Sequence, residues 1–483
     1  VWGAVAVFAA VGLFIALRAA RANTGAATDY YLGGRAVGGL VSGLSYAATT
    51  YSAFMLIVLT GLTYRGGIGA LGFELIYFAG LTLLVIFAPR FWLAAKRWGF
   101  ISPAEMIGAR YGSPGLARLM AAVSLVFLLP YCTTQLAGVG LLLSGVTGGA
   151  IPLAQAVAVG AALALLWAVL AGLRSVAWTD AAMAALMLGS GLLAVGFAVA
   201  AIGGPGAFVA ATVETRGPWL DVPGPGLWSL PTFLALSFPW FFFAITNPQV
   251  SQRLFILRDM AAMRRMILWV LGFGLVFTLI AVAWGFAALQ IAPALENPAL
   301  ATPTLLGSGV IPAPVALLLV VGILSAAIST LDSIALTVGA MVARDFFGRG
   351  TSDARQILAG RIVMALVVLF AAWFAIQQAR IVDQLAALSA AGLLVTAPAI
   401  VGAFFWRGGT AAGAMASMAG GAALAVFLVF GAGIGVFDPR LAFGVAAATA
   451  GLFVGVSRLT RPCPGALDFQ AALREDLARR GAW

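Results

Sequence analysis

About thirteen apolar stretches, each 19 residues or longer, run through this chain, and no other feature restricts its fold as much. Their approximate limits are 1–19, 37–63, 67–95, 114–146, 151–173, 176–203, 229–247, 266–291, 314–343, 358–378, 382–405, 411–432 and 439–457. A helix that crosses the hydrocarbon core needs roughly 20 apolar residues. Lipid offers no hydrogen bonds, so a spanning segment must satisfy its backbone internally, as a helix does. The residues are 63% hydrophobic and 9% charged, a balance far from that of water-soluble domains. The chain therefore reads as an all-α polytopic membrane protein.

The charges test that count. With thirteen spans the connecting segments alternate between two sides. One side then receives 23 of the 27 basic residues, among them Arg35, Lys96, Arg174, Arg253, Arg344 and Arg349. The other receives Arg65, Arg216, Arg380 and Arg440. The positive-inside rule puts the N-terminus outside and the tail in the cytoplasm of a cell-membrane protein. The net charge of +11 follows from that partition and does not call for a nucleic-acid partner. Cys132 lies in a span and Cys463 in the tail, so no disulfide or metal spacing is expected. There is no histidine, which removes the usual general base of an intramembrane hydrolase or acyltransferase.

Two spans contain helix breakers. The second carries "GLSYAATTYSAF", with Tyr46, Thr49, Thr50, Tyr51 and Ser52 at mid-membrane. The seventh carries "LSFPWFFFAITNPQ", with Pro239 inside and Pro248 at its end. Proline frees a backbone carbonyl, and freed carbonyls at membrane depth are tolerated where they line a cavity. The two breaks are five spans apart. Spans 2–6 and 7–11 then form a 5+5 inverted-repeat core, the arrangement of secondary transporters that bind solute at the midplane. The expected units are 1–36, a first helix with its loop; 37–405, the transport core; 406–458, two peripheral helices; and 459–483, a cytoplasmic tail. The tail ends in "FQAALREDLARRGAW", which reads as a solvated or interfacial amphipathic helix.

Inside the ninth span, "ILSAAISTLDSIALTVGA" places Ser325, Ser329, Thr330, Asp332, Ser333 and Thr337 at steps of three and four, one stripe on a helix. A carboxylate and a row of hydroxyls at that depth need partners. Hydroxyls can bond back to their own helix, or the stripe can face an ion.

Several motifs point to the second reading. "DYYLGGRAVGG", "ISPAEMIGARYG", "GLRSVAWTDAAMAALM", "NPQVSQR" and "AAISTLDS" followed by "ARDFF" occur in this order between residues 29 and 346. Together they resemble the sodium:solute symporter family. The resemblance implies the inverted-repeat fold and one Na+ between the second and ninth helices. Carried over by position, its ligands are the carbonyls of Ala48, Tyr51 and Ala326 and the hydroxyls of Ser329 and Thr330. Hard cations take oxygen ligands, which such a set provides. The resemblance also implies a further ion or an ion exit at Asp180, with Asp332 and Ser333 where some members have two hydroxyls. Beside the breaks, solute candidates are Tyr46, Thr50, Tyr51, Glu74, Tyr77, Gln135, Trp240, Phe243 and Thr246. Glu74 matches a position that touches the solute in sugar carriers of the family. The polar and aromatic pair of those carriers is absent from the seventh span, which favours a carboxylate or an amino acid over a sugar. The expected function is Na+-coupled uptake of a small organic solute by alternating access. The alternatives are proton coupling through Asp180 and Asp332, or a sensor module, which requires a further signalling domain. Neither an enzyme nor a channel fits as well.

Overall fold

The computed structural model describes residues 1–21, 24–224, 227–348, 350–378 and 381–481, with the backbone alone for 171 and 378. Arg349 and Arg380 of the charge partition lie outside the described residues. The membrane helices are α1 Trp2–Ala20, α2 as the pair Gly39–Thr50 and Phe54–Gly66, α3 Gly69–Trp98, α4 Pro114–Val146, α5 Leu153–Leu170 and α6 Gly172–Ala201. A shorter apolar helix, α7 Leu230–Phe241, follows, and the long helices continue as α8 Met260–Ile291, α9 Ala313–Phe346, α10 Asp353–Gln377, α11 Val382–Phe405, α12 Ala411–Gly431 and α13 Pro439–Leu459. The tail forms α14, Phe469–Arg479.

Among the described residues, eleven helices are long and apolar enough to cross a membrane, or twelve with the bent α2 pair. The sequence suggested thirteen. The difference lies in residues 229–247. There α7 has 12 residues, about 18 Å of helix, against a hydrocarbon core of about 30 Å. It stops at Phe242 after Pro239, resumes for Phe243–Thr246, and stops again at Asn247 before Pro248. Proline removes a donor and crowds the preceding turn, so two prolines divide this segment into pieces.

α9 is the centre of the bundle. Every residue from 319 to 341 on it is buried. It packs along α6 and touches the first half of α2. On the outside, α1 exposes Val7, Val11 and Phe14, and α10 exposes Leu366, Phe370 and Trp373, the apolar surface that lipid would cover. α5 and α6 meet at Gly172, whose φ of 61° turns the chain and lets the Tyr30 carbonyl sit where a Cβ would project.

α2 breaks without proline. Its halves differ in direction by 46°, and Tyr51 at the joint has φ −95° and ψ 85°. The Ser52 hydroxyl accepts from the Phe54 N–H at 3.1 Å and starts the second half. Beyond α7, residues 252–258 are pinned against the entry to α2. Val37 N–H donates to Ile256 at 3.2 Å, Arg258 N–H donates to Val37 at 3.1 Å, and Trp92 donates to Leu257 at 2.7 Å.

The tail departs from a solvated helix. Phe469, Leu473 and Leu477 are buried. Phe469 stacks on Trp98 at the end of α3, with centroids 4.9 Å apart, and approaches Phe404 of α11 at 5.4 Å. Arg97–Asp476 and Arg407–Asp468 ion pairs flank this contact. The apolar face of α14 thus docks on the protein.

Candidate functional site

The joint of α2 and the stripe of α9 face one another. Ser329 Oγ donates to the Ala48 carbonyl at 2.9 Å and to Ala326 at 3.2 Å. Thr330 Oγ1 lies 3.1 Å from Thr49 O, 3.2 Å from Ala326 O and 3.4 Å from Ala48 O. Both side chains are fully buried. Two hydroxyls and the carbonyls of Ala48 and Ala326 therefore share one small volume, with Tyr51 at the joint beside it. The hydroxyls do bond back to their own helix, as the plainer reading expects, and they also cross to α2. The donor set is neutral oxygen throughout, which suits a hard monovalent cation. Among the described residues no group of three His, Cys, Asp or Glu side chains is placed to hold a metal.

One turn further along α9 the chemistry becomes charged. Asp180 and Arg253 are both fully buried and paired at 2.7 Å. Ser45 of α2 donates to the same carboxylate oxygen at 2.7 Å and accepts from Arg253 Nε at 3.2 Å. Arg253 also donates to Ser333 Oγ in a short contact. Ser333 Oγ lies 3.1 Å from Thr49 Oγ1 and 3.2 Å from Asp332 Oδ1. Asp332 Oδ2 and Asp180 Oδ1 have no hydrogen-bond partner. Two carboxylates and one guanidinium thus form a linked cluster out of contact with solvent.

On the other side of the α2 joint the walls are aromatic. Trp240 and Phe243 stack in parallel, 5.3 Å apart and 4° from coplanar. Tyr77 meets both edge-on, at 5.5 and 5.3 Å. Tyr51 approaches Tyr77 at 5.8 Å, and its hydroxyl lies over Gly274 of α8, where a Cβ could not fit. Glu74 is one turn before the end of this group on α3 and only 1% exposed. Buried polar atoms without partners gather here: Tyr46 and Tyr51 hydroxyls, Thr50 Oγ1, Glu74 Oε1 and both amide atoms of Gln135. Thr246 stands apart in its bonding. Its hydroxyl donates to Phe242 of its own helix at 3.0 Å and accepts from Asn247 at 3.3 Å. A cleft of about 450 Å³ lies elsewhere, lined by Glu105, Arg118, Arg344, Asp345 and tail residue Leu467. The aromatic group itself is closed, with every ring named here at most 3% exposed.

Sequence reasoning missed four contributors. Arg253 counted as one cytoplasmic charge among many, yet its side chain is 0% exposed and holds Asp180. Its signal was the buried aspartate itself, which requires a counter-ion. Phe73 and Phe54 extend the aromatic wall to Trp240. Tyr131, one turn before Gln135 on α4, reaches Ser52 at the joint at 3.2 Å.

Comparison with known proteins places this architecture. The model of the sodium:solute symporter family matches residues 30–421. A protein described as uncharacterized symporter YhjB of Bacillus subtilis is 27% identical over 170 residues, 35% of this chain and 34% of that one. The sodium/proline symporter of Haemophilus influenzae is 26% identical over 429 residues, 82% of this chain and 81% of that one. Among solved structures, a Na+-coupled sialic acid symporter in a substrate-bound outward-open state superposes with a TM-score of 0.80 at 17% identity, covering 96% of this chain and 98% of the other. That likeness shows a shared fold. The family match covers most of the chain, and with the broken helices and the central α9 it leads to one conclusion: this multi-pass membrane protein belongs to the sodium:solute symporter family and is a transporter rather than an enzyme.

Proposed function

We propose that this protein couples the inward flow of Na+ to the uptake of a small organic solute by alternating access. The observation that carries the reading is the convergence of Ser329 and Thr330 on the carbonyls of the α2 joint. In this reading Na+ is a transported ion, held by the carbonyls of Ala48, Tyr51 and Ala326 and the two hydroxyls. Asp180, Asp332 and Ser333 lie next on the way to the basic, cytoplasmic side, where they serve a second ion or the exit of the first. The solute lies against Tyr46, Thr50, Tyr51, Glu74, Tyr77, Gln135, Trp240 and Phe243. A carboxylate or an amino acid is the favoured class, in keeping with the proline named for one relative. Thr246 contributes to the shape of the broken segment more than to recognition.

The wider organisation belongs to the same proposal. Residues 229–247 complete a thirteenth crossing in pieces, and 37–405 form the 5+5 inverted-repeat core with its breaks in α2 and α7. Residues 1–36 precede the core, 406–458 add two peripheral helices, and 459–483 are the tail. The basic residues set the N-terminus outside and the tail in the cytoplasm of the cell membrane. Na+ and solute sites both border the α2 joint, so each orders it for the other, and the coupling is reciprocal. Uptake into proteoliposomes tests this. It is expected to require Na+ and to stop when K+ replaces it with the pH gradient held. Uptake that persists in K+ and follows the pH gradient favours proton coupling instead.

A further inference from the structure

We infer that the transported solute carries a positively charged nitrogen, a protonated or quaternary ammonium group that sits between Glu74 and the aromatic wall. This rests on the reading of the aromatic group as the solute site.

Glu74 is a carboxyl group at membrane depth, 1% exposed, with Oε1 unpartnered. A buried carboxylate is expensive unless something pairs with it. Among the described residues no ion pair reaches Glu74, and the buried guanidinium near the α2 joint, Arg253, is bound to Asp180. Glu74 shares a face of α3 with Tyr77, one turn further on, whose ring belongs to the aromatic wall. Phe73 is its neighbour in sequence and meets Trp240 edge-on at 5.9 Å. Tyr51 in turn meets Tyr77, with ring centroids 5.8 Å apart. Tyr131 and Tyr77 direct their rings edge-on to the stacked pair of Trp240 and Phe243.

A lone carboxylate with several aromatic faces is the combination that recognises an ammonium group. The carboxylate supplies charge, and the ring quadrupoles attract the same cation without needing hydration. Without a cation beside it a buried carboxyl is held in its neutral form, so a solute that is only an anion draws no charge attraction from Glu74. The remaining orphans can serve the other end of a zwitterion. The Gln135 amide and the Tyr46 and Tyr51 hydroxyls are donors without acceptors. Of the two favoured classes, an amino acid or betaine therefore fits and a simple carboxylate does not.

The test uses the purified full-length protein and intrinsic tryptophan fluorescence, with and without Na+. Each ammonium solute is paired with a shape-matched solute lacking the charge: proline with cyclopentanecarboxylate, and choline with dimethylbutanol. Glycine betaine is added as a quaternary zwitterion. At least one ammonium solute is expected to bind more tightly than its partner by about tenfold or more. Glu74→Gln should abolish that preference while the Na+ response without solute remains. Phe243→Leu, which keeps Trp240 as the reporter, should weaken the ammonium solutes several-fold more than their partners without the nitrogen. Equal binding within each pair overturns the inference, and so does failure of every ammonium solute to bind. In both cases an intact Na+ response leaves the Na+-coupled reading standing. A protein that responds to Na+ under no condition removes that reading, and this one with it.

Discussion

Two polar clusters lie one helical turn apart on α9, and they are built on opposite principles. Around Ser329 and Thr330 every atom is neutral, and both hydroxyls have acceptors on α2 and on their own helix. Around Asp180 and Arg253 the atoms are charged, and two carboxylate oxygens have no hydrogen-bond partner. A hydroxyl can exchange a carbonyl for an ion and back with little change in free energy, since a neutral hydrogen bond is worth about 0.5–1.5 kcal/mol net. A buried charge has no such freedom, because losing its partner leaves it desolvated and unpaired. The first cluster is thus suited to load and release an ion. The second, linked through Arg253, ties α2, α6, α9 and the 252–258 segment together and can give up that link only to another cation, such as an ion on its way out.

The largest effect that would break this contrast is at Arg253. Arg253→Met should destabilise the protein by about 3–5 kcal/mol, the usual consequence of orphaning a buried carboxylate. Adding Asp180→Asn should recover most of that loss, because the uncompensated charge is gone. Denaturant or thermal unfolding in detergent measures both. A single variant as stable as the parent would mean that Asp180 finds another partner and that the cluster is not a clamp.

Ser329→Ala with Thr330→Ala sharpens the other half. The Na+ midpoint, read by tryptophan fluorescence with Trp240 near the joint, should rise by about tenfold or more, since only three carbonyls remain to replace the ion's water. Stability should fall by only about 0.5–1.5 kcal/mol for each hydroxyl. A midpoint within about twofold of the parent would assign the stripe to packing alone.

The smallest effect is expected at Thr246. Its hydroxyl serves Phe242 and Asn247 of its own segment, so Thr246→Val should change solute affinity by less than about twofold, within the worth of one hydrogen bond. A larger loss in equilibrium binding would return Thr246 to the solute site.

Much of the candidate site could be read before the fold. Ser329 and Thr330 stood out because hydroxyls at helical spacing are unusual in so apolar a run, and the motif order gave them partners. The break at Tyr51 was visible in "YAATTYSAF", and that at Pro239 in the proline itself. Arg253 was not legible. It lies a few residues past the last proline of a broken segment, where a basic residue ordinarily marks the water boundary. The docking of α14 was hidden for a similar reason: an amphipathic face does not say whether protein, lipid or water covers it.

The sequence by itself determined that this is a bundle of membrane helices and where two helices must break. Those properties are local: length, hydropathy and proline chemistry act within one segment, and lipid forbids the alternatives. Tertiary structure decided which polar atoms meet. Ser329 with Ala48, Arg253 with Asp180, and Tyr77 with Trp240 are separated by scores to hundreds of residues and come together through packing of whole helices. The physical reason is that each segment's pattern fixes what it must bury, while the partner against which it is buried depends on every other segment at once.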